Sequence, residues 1–147
     1  MDRKDLLDQL QNLIKLDIDA IHAYDQAIKH IDQPIIKENL VRFQADHRRH
    51  VDHLSAKVRE LGETPPAFAP DFKGFFIEGF TALRSLTGTK GALEAMETNE
   101  RLTNSRYEKA SAMDAPSDIS ILVQEYWADE KRHLAFIREA LNSGEFK

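Results

Sequence analysis

A chain of 147 residues has the usual size of one domain, and 41% hydrophobic residues suffice for one sizeable core. The net charge of −5, with basic residues interleaved among acidic ones, gives no reason to expect a nucleic-acid partner. Cysteine is absent, so the chain builds neither disulfides nor a thiolate metal site, and any metal or redox chemistry must use nitrogen and oxygen ligands. The N-terminus MDRKDLLDQL lacks the apolar stretch of a leader, and no run approaches the roughly 20 residues of a membrane span. The expectation is a cytoplasmic protein with no membrane contact.

Apolar residues recur at helical spacing in four long stretches, and strand-like alternation is missing, so the chain reads as all-α. The first stretch runs from about Lys4 to Ile31 and lines up Leu6, Leu10, Leu13, Asp17, Ala20, Tyr24, Ala27 and Ile31. It stops near Asp32-Gln33-Pro34. The second, from about Pro34 to Leu61, carries Leu40, Phe43, His47, His50, Leu54, Val58 and Leu61, with Gly62 as a natural stop. ETPPAFAP then breaks the pattern, and DFKGFFIEGFTALRSLTG reads as a short amphipathic helix inside a long connection, ended by Gly88. The third helix starts near Thr89 or Lys90 and places Leu93, Met96, Glu100, Thr103, Tyr107 and Ala110 on one stripe. The fourth runs from about Pro116 or Ser117 to Leu141, with Ile119, Leu122, Tyr126, Glu130, His133, Ile137 and Leu141.

A shift of 83 residues carries His50 onto His133, Tyr24 onto Tyr107, Asp17 onto Glu100, Leu10 onto Leu93 and Asp46 onto Asp129. ADHRRH at residues 45–50 and ADEKRH at 128–133 are the most visible part of this internal repeat. One shift that survives two helices and the turn between them implies two helical hairpins related by a pseudo-twofold axis. Short turns within each half make antiparallel neighbours, and the long connection from about Gly62 to Gly88 crosses the bundle. The expected architecture is a single four-helix-bundle domain over residues 1–147.

Asp17, His47, His50, Glu100, Glu130 and His133 fall where periodicity demands apolar side chains. Buried charge must be paired, hydrogen-bonded or metal-bound. In Glu130-x-x-His133 a carboxylate and an imidazole stand one helical turn apart on one face, and His47-x-x-His50 repeats the geometry with two imidazoles. Asp17 and Glu100 project from the other two helices. Three carboxylates and three histidines suit iron, manganese or zinc.

One acidic residue from each of two helices, plus acid-x-x-His pairs from the others, resembles the ferritin-like di-iron carboxylate proteins. So do the tyrosines seven residues after the acidic positions, Tyr24 and Tyr107. Across LLDQLQNLIKLDIDAIHAYDQAI, VRELGETP, SLTGTKGALEAMETNE and YWADEKRHLAFI the chain is similar to a bacterial family of small, functionally unassigned ferritin-like four-helix bundles. The resemblance implies metal ligands at Asp17, His47, His50, Glu100, Glu130 and His133, with one or two ions per chain. Two positions depart from its pattern: His47 stands where a bridging glutamate is expected, and Asp17 is one methylene shorter than glutamate. Two divalent ions bring four positive charges against three carboxylates, and a neutral, monodentate imidazole in place of the bridge implies lowered affinity or a single ion. Asp46 is one residue off the stripe, about 100° around the helix.

If the protein is an enzyme, oxygen- or peroxide-linked iron or manganese chemistry is expected, with Asp17, His50, Glu100, Glu130 and His133 holding the ions. The competing expectation is a metal-free polar core in a stress-associated bundle that acts as a structural or protein-interaction module. Tyr24 and Tyr107 read as packing and hydrogen-bonding residues, and His22, His30 and His53 as solvated. Apart from their stripe residues, DHRRH and DEKRH read as exposed faces. Five of the eight phenylalanines lie between Phe68 and Phe80; Phe72, Phe76 and Phe80 read as a cap on the bundle, or else the segment is a partner surface through which a homodimer could form.

Overall fold

The computed structural model describes residues 1–68 and 88–143. Four helices occupy them: α1 (Arg3–Lys29), α2 (Pro34–Glu60), α3 (Gly88–Ser111) and α4 (Ser117–Asn142), with no strand among the described residues. Their ends follow local chemistry. Asp2 caps α1 by accepting the Asp5 N–H at 2.8 Å. Pro34 opens α2, where its missing N–H leaves no helical bond unmade. At the far end of α2, Gly62 takes φ +85°, its N–H donates to the Arg59 carbonyl, and the Glu63 N–H donates to the Val58 carbonyl. That bonding pattern closes the helix with a left-handed residue.

The register of the contacts makes neighbouring helices antiparallel. Between α1 and α3, Tyr24 meets Glu100 and Tyr107 meets Asp17. Between α2 and α4, Asp46 meets His133, His50 meets Asp129 and Lys57 meets Asp118. Within the hairpins, Gln44 reaches back to Ile21, and Gln124 to Ser111. At one end of the bundle the Arg3 guanidinium donates to the Leu61 carbonyl; at the other the Asp32 N–H donates to Thr89 Oγ1 at 3.1 Å. Leu61 and Gly88 therefore lie at opposite ends of the bundle. The short helix expected between them, and the phenylalanines after Phe68, lie outside the described residues.

The expected stripes are the buried ones, with small adjustments: Leu61, Leu122 and Leu141 are half-buried, and Val123 and Ala140 are buried beside the last two. The apolar core is divided. One cluster contains Leu10, Leu13, Ile14, Leu54, Val58, Tyr107 and Tyr126, and the other contains Tyr24, Ala27, Leu40, Phe43, Leu93, Met96 and Ile137. Between them lies a layer of buried polar side chains. Among the described residues no helix is long and apolar enough to cross a membrane.

The cap at Gly62 gives a test of this architecture. A Cβ there would meet the Arg3 guanidinium at 3.2 Å and would sit on a left-handed backbone. Gly62→Ala is expected to lower stability by about 1–2 kcal/mol in urea denaturation, with helical content unchanged; an unaltered midpoint would contradict the cap.

Candidate metal centre

All of the residues singled out by periodicity meet in this layer. Asp17 comes from α1, His47 and His50 from α2, Glu100 from α3, and Glu130 and His133 from α4; each is 0% exposed. His47 Nδ1 lies 2.7 Å from Asp17 Oδ1, and its Nε2 lies 3.2 Å from Glu100 Oε1. His50 Nδ1 stands 3.2 Å from Asp17 Oδ1 and 3.4 Å from Glu130 Oε1. His133 Nδ1 stands 3.4 Å from Glu100 Oε1 and 3.6 Å from Glu130 Oε2. Two overlapping sets result, Asp17/His47/His50/Glu130 and His47/Glu100/Glu130/His133, each with ligand atoms within 4.8 Å of one another.

The outer nitrogens of His50 and His133 are held from across the bundle. His50 Nε2 donates to Asp129 and His133 Nε2 donates to Asp46, both at 2.8 Å. Arg49 donates to Asp46 at 3.1 Å and to Asp129 at 2.5 Å, while Arg132 donates to the same carboxylates at 2.8 and 3.1 Å. A neutral imidazole whose Nε2–H is used outward presents the Nδ1 lone pair inward, the arrangement that orients a metal-binding histidine. DHRRH and DEKRH are thus not simply exposed faces: their Asp and Arg residues build this frame, although both arginines remain about half exposed. Periodicity missed these four residues because they sit off the stripes, while the repeat itself carried the signal.

Other side chains fix the carboxylates. The Tyr24 hydroxyl donates to Glu100 and the Tyr107 hydroxyl to Asp17, as hydrogen-bonding tyrosines. Burial, and then the facing Glu100 and Asp17 charges, push these phenols well above their ordinary pKa. Thr103 Oγ1 lies 3.0 Å from Glu130 Oε2. The Asn104 amide donates to the backbone carbonyls of Glu100 and Glu130 and so ties α3 to α4 at the layer.

The pairing reverses the electrostatic cost of burial. Desolvation alone would lower the pKa of His47, but the carboxylates of Glu130, Asp17 and Glu100 raise it to about 10. For His50, Asp17 and Asp129 likewise overcome burial and raise the value to about 10. Glu100 outweighs burial at His133, which is raised well above its ordinary value. Burial would raise Asp17 and Glu100, yet the imidazoles hold both below the usual carboxylate range. The pairing thus favours carboxylates at Asp17 and Glu100 beside protonated imidazoles.

Two atoms of that network make ion-pair contacts but no hydrogen bond: Glu130 Oε1 and His133 Nδ1 are buried, and both residues belong to the ligand sets. Donors of this kind suit a cation, and nitrogen and oxygen donors together suit iron, manganese or zinc. The donor set is compatible with metal binding.

The flanks of the layer differ. On one side Phe43 stacks on His133 with centroids 4.3 Å apart, and Phe136 meets Phe43 edge-on. On the other Tyr126 stacks on His50 at 4.0 Å, and its hydroxyl lies 2.5 Å from Nδ1 of the exposed His53. His53 is thus solvent-exposed as expected, but engaged. His22 departs further from a solvated histidine: it is half-buried against Phe68, and its Nε2 has no partner among the described residues.

Four antiparallel helices around a buried carboxylate–histidine layer define a ferritin-like four-helix bundle. The family described as a domain of unknown function, DUF2383, matches residues 5–113, and the chain belongs to that family. A crystal structure described as that of ferritin-like, diiron-carboxylate proteins from Bacillus anthracis str. Ames is similar over 96% of this chain and 99% of that one, with a TM-score of 0.73 and 22% identity. That likeness shows the fold. No curated protein matches the chain.

The network makes the metal-free protein sensitive to alkali. His47 and His50 sit at about 10 when folded, against about 6.5 in an unfolded chain. Their contribution is complete below about pH 6.5 and is lost as pH rises through about 10. The unfolding free energy from denaturant titrations with chelator present should fall between about pH 6 and pH 10 by on the order of a few kcal/mol, and the midpoints with it. Equal midpoints would show that the imidazoles are not charged in the fold.

Proposed function

We propose that the protein is a metal-binding ferritin-like bundle whose central layer holds iron or manganese, one or two ions per chain, for chemistry linked to oxygen or peroxide. The observation that carries this reading is the pair of overlapping, fully buried ligand sets in which Glu130 Oε1 and His133 Nδ1 make no hydrogen bond. Asp17, His50, Glu100, Glu130 and His133 would hold the ions. Iron or manganese held there supplies one-electron redox chemistry toward oxygen or peroxide. The chain's own residues prepare the site: Asp46 and Asp129 fix the imidazole orientation, Tyr24 and Tyr107 hold one oxygen each of Glu100 and Asp17, and the apolar clusters on both sides exclude bulk water. The di-iron description of the structural neighbour supports the reading by likeness of fold.

A second reading has its own observation. With its three imidazoles protonated, the layer balances Asp17, Asp46, Glu100, Asp129 and Glu130 against His47, His50, His133, Arg49 and Arg132 without any metal. A self-neutral layer suits a metal-free, stress-associated bundle that serves as an interaction module, and Phe68, 50% exposed, stands at the edge of the connection where a partner would bind.

Anaerobic titration with ferrous iron separates the two. Stoichiometric uptake, followed by a change in the optical spectrum on admitting air, is expected. Replacing both His50 and His133 by alanine should abolish uptake while circular dichroism stays helical; unchanged uptake in that variant would remove this site from consideration. Asp46→Asn combined with Asp129→Asn should weaken binding about 10- to 100-fold, since the ligands would lose their orienting partners. A wild-type protein that takes up no metal and captures a partner would favour the interaction module.

A further inference from the structure

His47 is unlike the other two histidines of the layer. His50 and His133 each turn one nitrogen outward to Asp129 or Asp46. His47 has no outer carboxylate, and both of its nitrogens face inward. Its Nδ1 lies 2.7 Å from Asp17 Oδ1 and 3.5 Å from Glu130 Oε1, within the first ligand set. Its Nε2 lies 3.2 Å from Glu100 Oε1, within the second. Glu130 is divided in the same way: Oε1 faces His47 and His50, and Oε2 faces His133. His47 and Glu130 are the two residues common to both sets, and a shift of 83 residues carries one onto the other.

We propose that His47 is a bridging ligand, binding one divalent metal ion through Nδ1 and a second through Nε2, opposite the carboxylate bridge of Glu130. The inference rests on the metal-binding reading above and specifies how this site holds two ions. It replaces the expectation of a neutral, monodentate imidazole.

Coordination through both nitrogens leaves no ring proton. His47, raised to about 10 in the metal-free layer, gives up both of its ring protons to solvent, His50 and His133 each give up the one on Nδ1, and the His47 ring becomes an imidazolate with one negative charge. No electron is transferred. The charge deficit inferred from the sequence then disappears, because Asp17, Glu100, Glu130 and the imidazolate together match two divalent cations, while Asp46 and Asp129 remain matched by Arg49 and Arg132.

The test uses zinc alone as the probe, on full-length protein labelled with nitrogen-15 in histidine. Metal-free protein is titrated with zinc, and the ring nitrogens are observed through their long-range proton correlations. At two zinc ions per chain, both His47 nitrogens should show metal-bound shifts and no attached proton, while His50 and His133 each keep a proton on Nε2. His47→Gln assigns the resonance and should take up a single zinc ion. If that variant misfolds, contact with the Tyr24 ring, 5.4 Å away between centroids, assigns it in the wild type. Two bound zinc ions with a ring proton retained on His47 would overturn the bridge and leave the metal-binding reading standing. Saturation at one ion with that proton retained would do the same. Failure to bind zinc at all, with no uptake of ferrous iron, would overturn both.

Discussion

The structure turns on the need to neutralise charge in the middle of an apolar bundle. Asp17, Glu100 and Glu130 are fully buried at half height, where an uncompensated carboxylate costs several kcal/mol even after the protein relaxes. Every surrounding feature answers that cost. Imidazoles face the carboxylates, phenols and Thr103 donate to them, and the apolar core is split into one cluster on either side. Protons on three imidazoles or divalent cations among them both satisfy the layer. The frame of Asp46, Asp129, Arg49 and Arg132 is made without metal, so metal binding would exchange one set of positive charges for another.

That frame explains why nearly the same letters occur twice. In each copy of the D-x-x-R-H pattern the Asp reaches across to hold the other copy's histidine, the Arg spans both aspartates, and the histidine turns its inner nitrogen to the centre. The antiparallel register of α2 and α4 makes the exchange reciprocal. The position after the Asp differs, His47 in one copy and Glu130 in the other, and these are the residues shared by both ligand sets. The flanks differ too, Phe43 with Phe136 on one side and Tyr126 with His53 on the other. The layer is consequently alike in charge on its two sides but unequal in polarity toward the surface.

The helices and the inner residues were legible in the sequence because a 3.6-residue period ranks positions by the face they occupy. Polar residues at apolar positions, such as Asp17 and Glu100, stand out against that period. Asp46 and Asp129 did not, since a position 100° from the stripe reads as solvent-facing when each helix is taken alone. It becomes a seam position only when another helix packs beside it at the right height. The direction of the His47 ring was likewise invisible, because spacing fixes a Cα and leaves the side-chain torsions open. His53 was read correctly as exposed but not as the partner of Tyr126, a contact made across two helices. The Phe72 to Phe80 segment lies outside the described residues.

The central claim is that the buried layer exists to hold metal. Metal content by plasma mass spectrometry, on untagged protein purified from cells without chelator, tests it most directly. The account predicts one or two equivalents of iron or manganese per chain, lost on dialysis against a chelator at acid pH, where the ligand histidines regain their protons. Protein that emerges with only trace metal, and stays so after incubation with iron, manganese and zinc, would contradict it and leave the layer as a self-neutral ion network.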